Sequence, residues 1–140
     1  MRFLAIFFLC TFFPTLAQAD AAAAVGLIGG NGNQGIALGS VVDEANLEDA
    51  RTKAVETCRR FAGAPKAAQF CTVVLTFKNE CFAVAFDPKP GPRGYGWATG
   101  PTKATAEERA VAQCRLTADP GRRDFCAIDK EQTKCDSTAN

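Results

Sequence analysis

Cysteine is the residue type in this sequence that offers the most chemistry. The chain has seven cysteines and no histidine among its 140 residues. Thiolates can bind zinc, exchange with disulfides or crosslink the chain. No two cysteines have the Cys-x-x-Cys spacing of thioredoxin-like sites, and the long spacings and missing histidine disfavour a zinc site. We therefore predict structural disulfides, with no metal ion and no cofactor.

Residues 1–19 have the features of a cleaved signal peptide. A basic residue precedes an apolar run at residues 3–16, and residues 17–19 form the small-x-small pattern that signal peptidase accepts. Cleavage before Asp20 is expected, with residues 21–23 as alternative positions. The run is too short for a membrane-spanning helix, which needs about 20 apolar residues. We therefore predict no membrane span after cleavage.

Removal of the signal peptide accounts for the odd number of cysteines. Cys10 lies inside the apolar run, without the small residue that a lipobox places before its cysteine, and it leaves with the signal. The remaining cysteines are Cys58, Cys71, Cys81, Cys114, Cys126 and Cys135. An even number of thiols in an exported chain predicts a disulfide framework and a periplasmic or secreted protein.

The charge balance argues against nucleic acid as a partner. The formal net charge of the whole chain is +1, and loss of Arg2 with the signal brings it to zero. Proteins that bind nucleic acid usually carry a clearly basic surface.

The mature chain, residues 20–140, contains an internal repeat. Residues 50–58 resemble residues 106–114, and each segment ends in a cysteine. The later cysteines of the copies also occupy equivalent places, so we assign the copies to residues 24–81 and 82–135. Each copy has too few large apolar residues for a core of its own, so we expect them to pack together as one domain.

Each copy is predicted to have the element order ββαβ. Short apolar runs flank Gly- and Pro-rich turns and indicate β-hairpins, at residues 24–28 and 36–42 and at residues 82–86 and 95–99. A helix follows each hairpin, and weaker apolar runs at residues 71–77 and 125–128 close the copies as strands. The prediction is an α+β domain in which one antiparallel sheet carries two helices on it.

Helical periodicity identifies the face that each helix buries. These faces are Leu47, Ala50, Ala54, Cys58 and Phe61 in the first copy, and Ala106, Ala110, Cys114 and Thr117 in the second. Thr105 and Glu108 form a capping-box pattern at the start of the second helix, with Thr102 as an alternative cap.

The repeat and the predicted elements favour one pairing of the cysteines among the many that six cysteines allow. Cys58–Cys71 and Cys114–Cys126 would each join the end of a helix to the following strand. Cys81–Cys135 would join equivalent strand ends across the two copies.

Two other patterns in the sequence are typical of sites of chemistry. Residues 30–35 fit the G-x-G-x-x-G pattern, but a strand rather than a helix follows, so a hairpin turn is expected instead of a dinucleotide site.

Adjacent carboxylates occur at Asp43-Glu44, Glu48-Asp49 and Glu107-Glu108. A glycosidase needs two carboxyl groups at a defined separation across a cleft, whereas neighbours on a helix do not face each other. We therefore predict that the protein is not an enzyme.

The aromatic pair Tyr95 and Trp97 is the candidate partner contact, together with Arg93. Strand alternation places both aromatic side chains on one face, and aromatic and arginine side chains are enriched at binding hot spots. Packing of the aromatic pair against the helices is the competing interpretation. Arg59-Arg60 and Arg122-Arg123 are interpreted as solvated residues at helix ends and in loops.

Three segments together resemble the bacterial domain-of-unknown-function family numbered 4189. They are residues 79–85, residues 95–97 and the Ala106, Ala110, Val111, Cys114 pattern, and the resemblance extends over residues 24–135. It implies a small exported domain with Gly/aromatic hairpins, Ala-rich helices and paired cysteines. It implies no activity and no catalytic residues. The first strand of the family often opens with Trp, whereas in this sequence the equivalent residue is Ala23 or Ala24.

The leading functional hypothesis is a non-catalytic, disulfide-stabilised binding module in the periplasm or outside the cell. Its partner would be an envelope protein, a secreted protein or a cell-wall component. The alternatives are a small cell-wall hydrolase that uses paired carboxylates and a purely structural envelope protein.

Overall fold

The computed structural model describes residues 20–139. The predicted signal peptide at residues 1–19, its cleavage motif and Cys10 lie outside the described residues, as does Asn140.

Strands and helices alternate along the chain in two similar series. The first series is β1 (Asp20–Ile28), β2 (Asn31–Glu44), α1 (Leu47–Arg59), a short 3₁₀ helix (Ala67–Phe70) and β3 (Thr72–Phe77). The second series is β4 (Cys81–Phe86), β5 (Tyr95–Gly100), α2 (Lys103–Thr117), a 3₁₀ helix (Pro120–Phe125), β6 (Ala127–Ile128) and β7 (Lys134–Cys135).

The strands form two antiparallel sheets. In the first sheet β1 lies between β2 and β3, and in the second β4 lies between β5 on one side and β6 and β7 on the other. The α+β class with disulfides is confirmed. The expectation of one continuous sheet was wrong, because β3 and β4 follow each other in the chain but belong to different sheets.

The separation into two sheets follows from the apolar character of both sheet faces. Ala22 and Ala24 of β1 pack on α1, whereas Ala23 and Val25 belong to a second cluster that contains Phe82 of β4. One helix covers only one face of its sheet, and apolar side chains on the other face must also leave water. The sheets therefore pack against each other, with α1 and α2 on the outer faces.

Glycine allows each helix to approach its sheet closely. A Cβ atom on Gly39 of β2 would overlap the backbone of Ala54 and Cys58 in α1. A Cβ atom on Gly96 of β5 would overlap the backbone of Ala110 and Cys114 in α2 in the same way. The alanines and cysteines on the predicted helix faces are accordingly buried. The prediction was wrong for Leu47 and Thr117, which lie at the ends of these faces and are exposed.

The first hairpin has longer strands and a tighter turn than predicted. Ile28 pairs with Asn31, which leaves only Gly29 and Gly30 in the turn, and both have positive φ angles of 63° and 72°. Two glycines of this conformation match the twist of a two-residue hairpin turn. The G-x-G-x-x-G pattern at residues 30–35 therefore lies in a turn and a strand.

The helix starts are capped by side chains. Asn46 accepts a hydrogen bond from the backbone N–H of Asp49 (2.9 Å), and Thr102 accepts one from the backbone N–H of Thr105 (3.2 Å). The alternative cap Thr102 is therefore the actual one, and the capping-box prediction for Thr105 with Glu108 was wrong. The helix begins one turn earlier because Thr102 already has the extended backbone of a cap residue.

Within the described residues, three disulfides join Cys58 to Cys71, Cys114 to Cys126 and Cys81 to Cys135. These are the pairs that the repeat favours. Cys81 and Cys135 lie directly opposite each other on β4 and β7. This bridge holds the C-terminal strand on the second sheet.

Candidate functional site

The predicted contact residues Tyr95 and Trp97 lie on the inner face of β5. Tyr95 pairs with Phe86 and Trp97 with Val84, and directly paired residues share a face of the sheet. The two aromatic rings stack with centroids 5.8 Å apart. Trp97 is half-buried and packs on the apolar cluster between the sheets. The ring of Trp97 therefore contributes to the core between the sheets.

Tyr95 also joins the two halves of the molecule, which are the series of elements from β1 to β3 and the series from β4 to β7. Its hydroxyl donates a hydrogen bond to the backbone oxygen of Gly30 in the β1–β2 turn, at 2.9 Å. This contact brings that turn next to the loop between β4 and β5, residues 87–94. We call the β1–β2 turn together with residues 87–94 the loop end of the molecule.

Arg93 is the third predicted contact residue, and its environment differs from that of the aromatic pair. It lies in the β4–β5 loop and is half-buried. Among residues 20–139, its guanidinium takes part in no hydrogen bond and no ion pair, although other arginines such as Arg122 make several. An arginine that is partly removed from water without a partner is available to an anionic group.

Arg93 lines a cavity of about 190 Å³ between the two halves. The walls are mainly apolar and come from Ile36 and Leu38 of β2, Phe61 after α1 and Phe86 of β4. Asp129, which follows β6, adds a carboxylate to the lining. The cavity thus combines an apolar surface with one cation and one anion.

A second cavity, of about 230 Å³, is also lined by Arg93. It is polar, and its lining includes Asn31 and Asn33 of β2 and Asp119 beyond α2. Arg93 contributes to the lining of both cavities.

The loop that carries Arg93 is anchored by a buried ion pair. Arg122 Nε donates a hydrogen bond to Asp87 Oδ2 at 2.6 Å, and its other nitrogens donate to the backbone oxygens of Lys89 and Pro90. Asp87 is fully buried. Arg122 was interpreted from the sequence as a solvated loop residue, which was wrong. A carboxylate at the end of an apolar strand was the available signal, but its partner lies 35 residues away.

The hydrogen bonds of Asp87 change its titration. Burial alone would raise the pKa of this carboxyl, but the Lys89 N–H and the Arg122 guanidinium outweigh burial and lower the pKa below its ordinary value of 3.8. Asp87 is therefore ionised near neutral pH and holds Arg122 across the base of the loop.

A second buried carboxylate lies at the other end of β4. Asp136 is buried, which alone would raise its pKa, but hydrogen bonds from the backbone and hydroxyl of Thr138 and from the Asn79 N–H lower it. These bonds fasten the C-terminal segment to the turn between β3 and β4. Because the carboxylate is 1% exposed, it is closed to a ligand.

The adjacent carboxylates of the hydrolase alternative are dispersed over the surface. Glu44 pairs with Lys53, and Asp49 accepts a hydrogen bond from the amide of the cap residue Asn46. Glu107 lies 4.0 Å from Lys103 one turn earlier on α2. None of these acidic side chains lines the cavity between the halves.

Two further observations concern metals and membranes. Within residues 20–139, no three side chains of His, Cys, Asp or Glu lie together as a metal site would require. The helices of this same part of the chain are too short or too polar to cross a membrane.

One known protein family matches this chain over nearly all of its described residues. The profile described as Domain of unknown function (DUF4189) matches residues 21–133, which is nearly the whole described chain. The chain belongs to this family. No curated protein and no solved structure matches it significantly. The DUF4189 match includes both helices and all the residues that line the cavity between the halves, and its description assigns no role to Arg93 or to any other residue.

Proposed function

We propose that this DUF4189 chain is a non-catalytic binding module that acts in the periplasm or outside the cell. It binds a partner that presents an anionic group to Arg93 at the loop end. The partner belongs to the cell envelope or the secreted fraction, either a protein or a cell-wall component.

The disulfides support an extracytoplasmic location. Three bridges between residues 58 and 135 would be kept reduced in most cytoplasmic compartments, whereas an oxidising compartment preserves them. The signal-peptide pattern at residues 1–19 supports the same location. Cell fractionation with an antibody to the folded domain tests it directly. Recovery of the processed protein in the cytoplasmic fraction would contradict it.

Arg93 carries the proposal for binding. Arg93 is half-buried and lines both cavities at the loop end, and its guanidinium has no hydrogen-bond partner among the described residues. The arginine is presented by a loop that the Asp87–Arg122 pair holds in place. Arginine on a rigid loop contributes strongly to binding because little conformational freedom is lost when it pairs.

Capture of the partner from its native envelope fraction tests this role. The purified, disulfide-bonded protein is immobilised, crosslinked to bound material, and the captured components are identified by mass spectrometry. Arg93→Gln should reduce capture of the specific partner by at least about tenfold, the effect of losing roughly 1.4 kcal/mol. Arg123→Gln is the matched control, since Arg123 is exposed and lines neither cavity at the loop end. Equal capture by wild type and Arg93→Gln would overturn the proposal.

A further inference from the structure

We infer that the cavity between the two halves binds a free apolar α-amino acid. The inference goes beyond the proposed function, although Arg93 is the binding group in both. The ligand of the cavity is a small zwitterion, separate from the envelope partner, and its α-carboxylate is the group that Arg93 binds.

The guanidinium of Arg93 supplies one half of the recognition. A planar guanidinium with several N–H donors matches both oxygens of a carboxylate. Arg93 makes no competing hydrogen bond or ion pair within residues 20–139, so binding a carboxylate breaks no existing contact. Partial burial strengthens this interaction relative to one at a fully exposed surface.

Asp129 supplies the complementary charge. One of its carboxylate oxygens accepts a hydrogen bond from the backbone N–H of Glu131 at 3.1 Å, and the described residues provide no cation for it. Arg93 and Asp129 line the same cavity but do not form an ion pair with each other. A simple anion would be repelled by Asp129 and a simple cation by Arg93. A molecule with an adjacent carboxylate and ammonium satisfies both charges.

The rest of the cavity selects the side group and the size of the ligand. Its walls include Ile36, Leu38, Phe61 and Phe86, so an aliphatic or aromatic side group gains from burial there. The volume of about 190 Å³ is smaller than the roughly 300–1,000 Å³ of pockets for drug-sized ligands. A single amino acid suits this space, whereas a long peptide does not.

Titration with leucine and two analogues tests the charge recognition. Leucinamide lacks the carboxylate, and N-acetylleucine lacks the ammonium. Leucine and each analogue are added separately to the ¹⁵N-labelled, disulfide-bonded protein, and amide resonances of residues that line the cavity are followed by NMR. Leucine should shift the resonances of Ile36, Phe86 and Asp129, and each analogue should bind at least about tenfold more weakly, as expected for loss of one charge-assisted contact.

Two variants assign each charge to its residue. Arg93→Gln should abolish the preference for leucine over leucinamide, and Asp129→Asn should abolish the preference for leucine over N-acetylleucine. Asparagine retains the oxygen that accepts from Glu131, so the local turn is preserved. Arg123→Gln is the control and should bind leucine like the wild type.

The outcomes separate this inference from the proposed function. Absence of saturable shifts with leucine, or equal affinity for leucine and both analogues in the wild type, would overturn the amino-acid site. If Arg93→Gln nevertheless lost the captured envelope partner, the proposed function would stand without it. If leucine bound as expected while capture was unchanged in Arg93→Gln, the proposed envelope partner would fail instead.

Discussion

The hydroxyl of Tyr95 donates a hydrogen bond to the backbone oxygen of Gly30, at 2.9 Å and across 65 residues of sequence. Gly30 belongs to the first hairpin and Tyr95 to the second, so this bond joins the two halves at the loop end. A similar bond, from Lys134 Nζ to the backbone oxygen of Ser40 at 2.6 Å, joins them nearer the other end of β4. Both contacts hold the two halves of the molecule together.

Tyr95→Phe should lower the free energy of unfolding by about 1 kcal/mol, the usual net value of one hydrogen bond. The ring, and with it the stacking on Trp97, is retained. Urea unfolding followed by tryptophan fluorescence measures the change. Thr76→Val is the control, since Thr76 is exposed and its hydroxyl makes no hydrogen bond with the described residues. A variant as stable as the wild type would show that the bond is not formed in solution.

Gly39→Ala should destabilise the protein strongly. A Cβ atom at this position would overlap the backbone of Ala54 and Cys58, so α1 must move away from β2. Overpacking of this kind costs about 1–3 kcal/mol. Gly121→Ala introduces the same methyl group where no atom lies within 4 Å, so its midpoint of unfolding should stay near that of the wild type. Equal midpoints for the two variants would contradict the close helix–sheet packing.

Asp87→Asn should cost about 3–5 kcal/mol, because it leaves the largely buried guanidinium of Arg122 without its anionic partner. The loop that carries Arg93 should loosen as well, which faster amide hydrogen exchange in residues 87–94 would reveal. Glu107→Gln removes a charge from an exposed pair and should change stability by less than about 1 kcal/mol. If the two variants lost the same stability, the pair at the base of the loop would not be structural.

The ion pair also predicts the direction of a pH effect. The pKa of Asp87 is lowered in the folded protein relative to the ordinary value of 3.8, so its ionised form contributes stability above that value. This contribution is lost as the pH falls below 3.8 towards the folded-state pKa. The stability difference between wild type and Asp87→Asn should therefore shrink in acid. Unfolding midpoints of both proteins at a series of pH values measure it, and a constant difference would argue against this titration.

Removal of the long-range disulfide should cost more than removal of a local one. Cys81–Cys135 spans 54 residues and Cys114–Cys126 spans 12. Loop-closure entropy assigns about 4 kcal/mol to the first and about 3 kcal/mol to the second. Double Cys→Ala variants, compared by denaturant unfolding without reductant, test the order. A larger loss for Cys114–Cys126 would reverse it and show that local packing dominates.

Local patterns were sufficient to predict most of the elements. Helical spacing predicted the small residues that α1 and α2 bury, since these recur at each turn, but it wrongly included Leu47 and Thr117. The Gly- and Pro-rich turns predicted both hairpins. The length of β2 was underestimated, because only Gly29 and Gly30 form the turn and the remaining Gly-rich residues belong to the strand. The short strand β7 was missed because two residues leave no periodicity to detect.

The candidate site was predictable only in part. Arg93 was identified beside an aromatic pair, but its lack of a partner is a property of the folded chain. Asp129 gave no signal, because nothing in its local sequence relates it to Arg93. The role of Arg122 was hidden for the same reason.

The sequence by itself determined the α+β class, the two helices with their buried faces, and the cysteine pairs that the repeat makes equivalent. These features depend on residues close together in the chain or on matching positions in the copies. Only the tertiary structure decided that the strands form two packed sheets, that Asp87 is paired with Arg122, and that Arg93 and Asp129 share a cavity. Such relations arise when the two apolar inner faces are buried against each other, and that burial brings together residues that no local pattern connects.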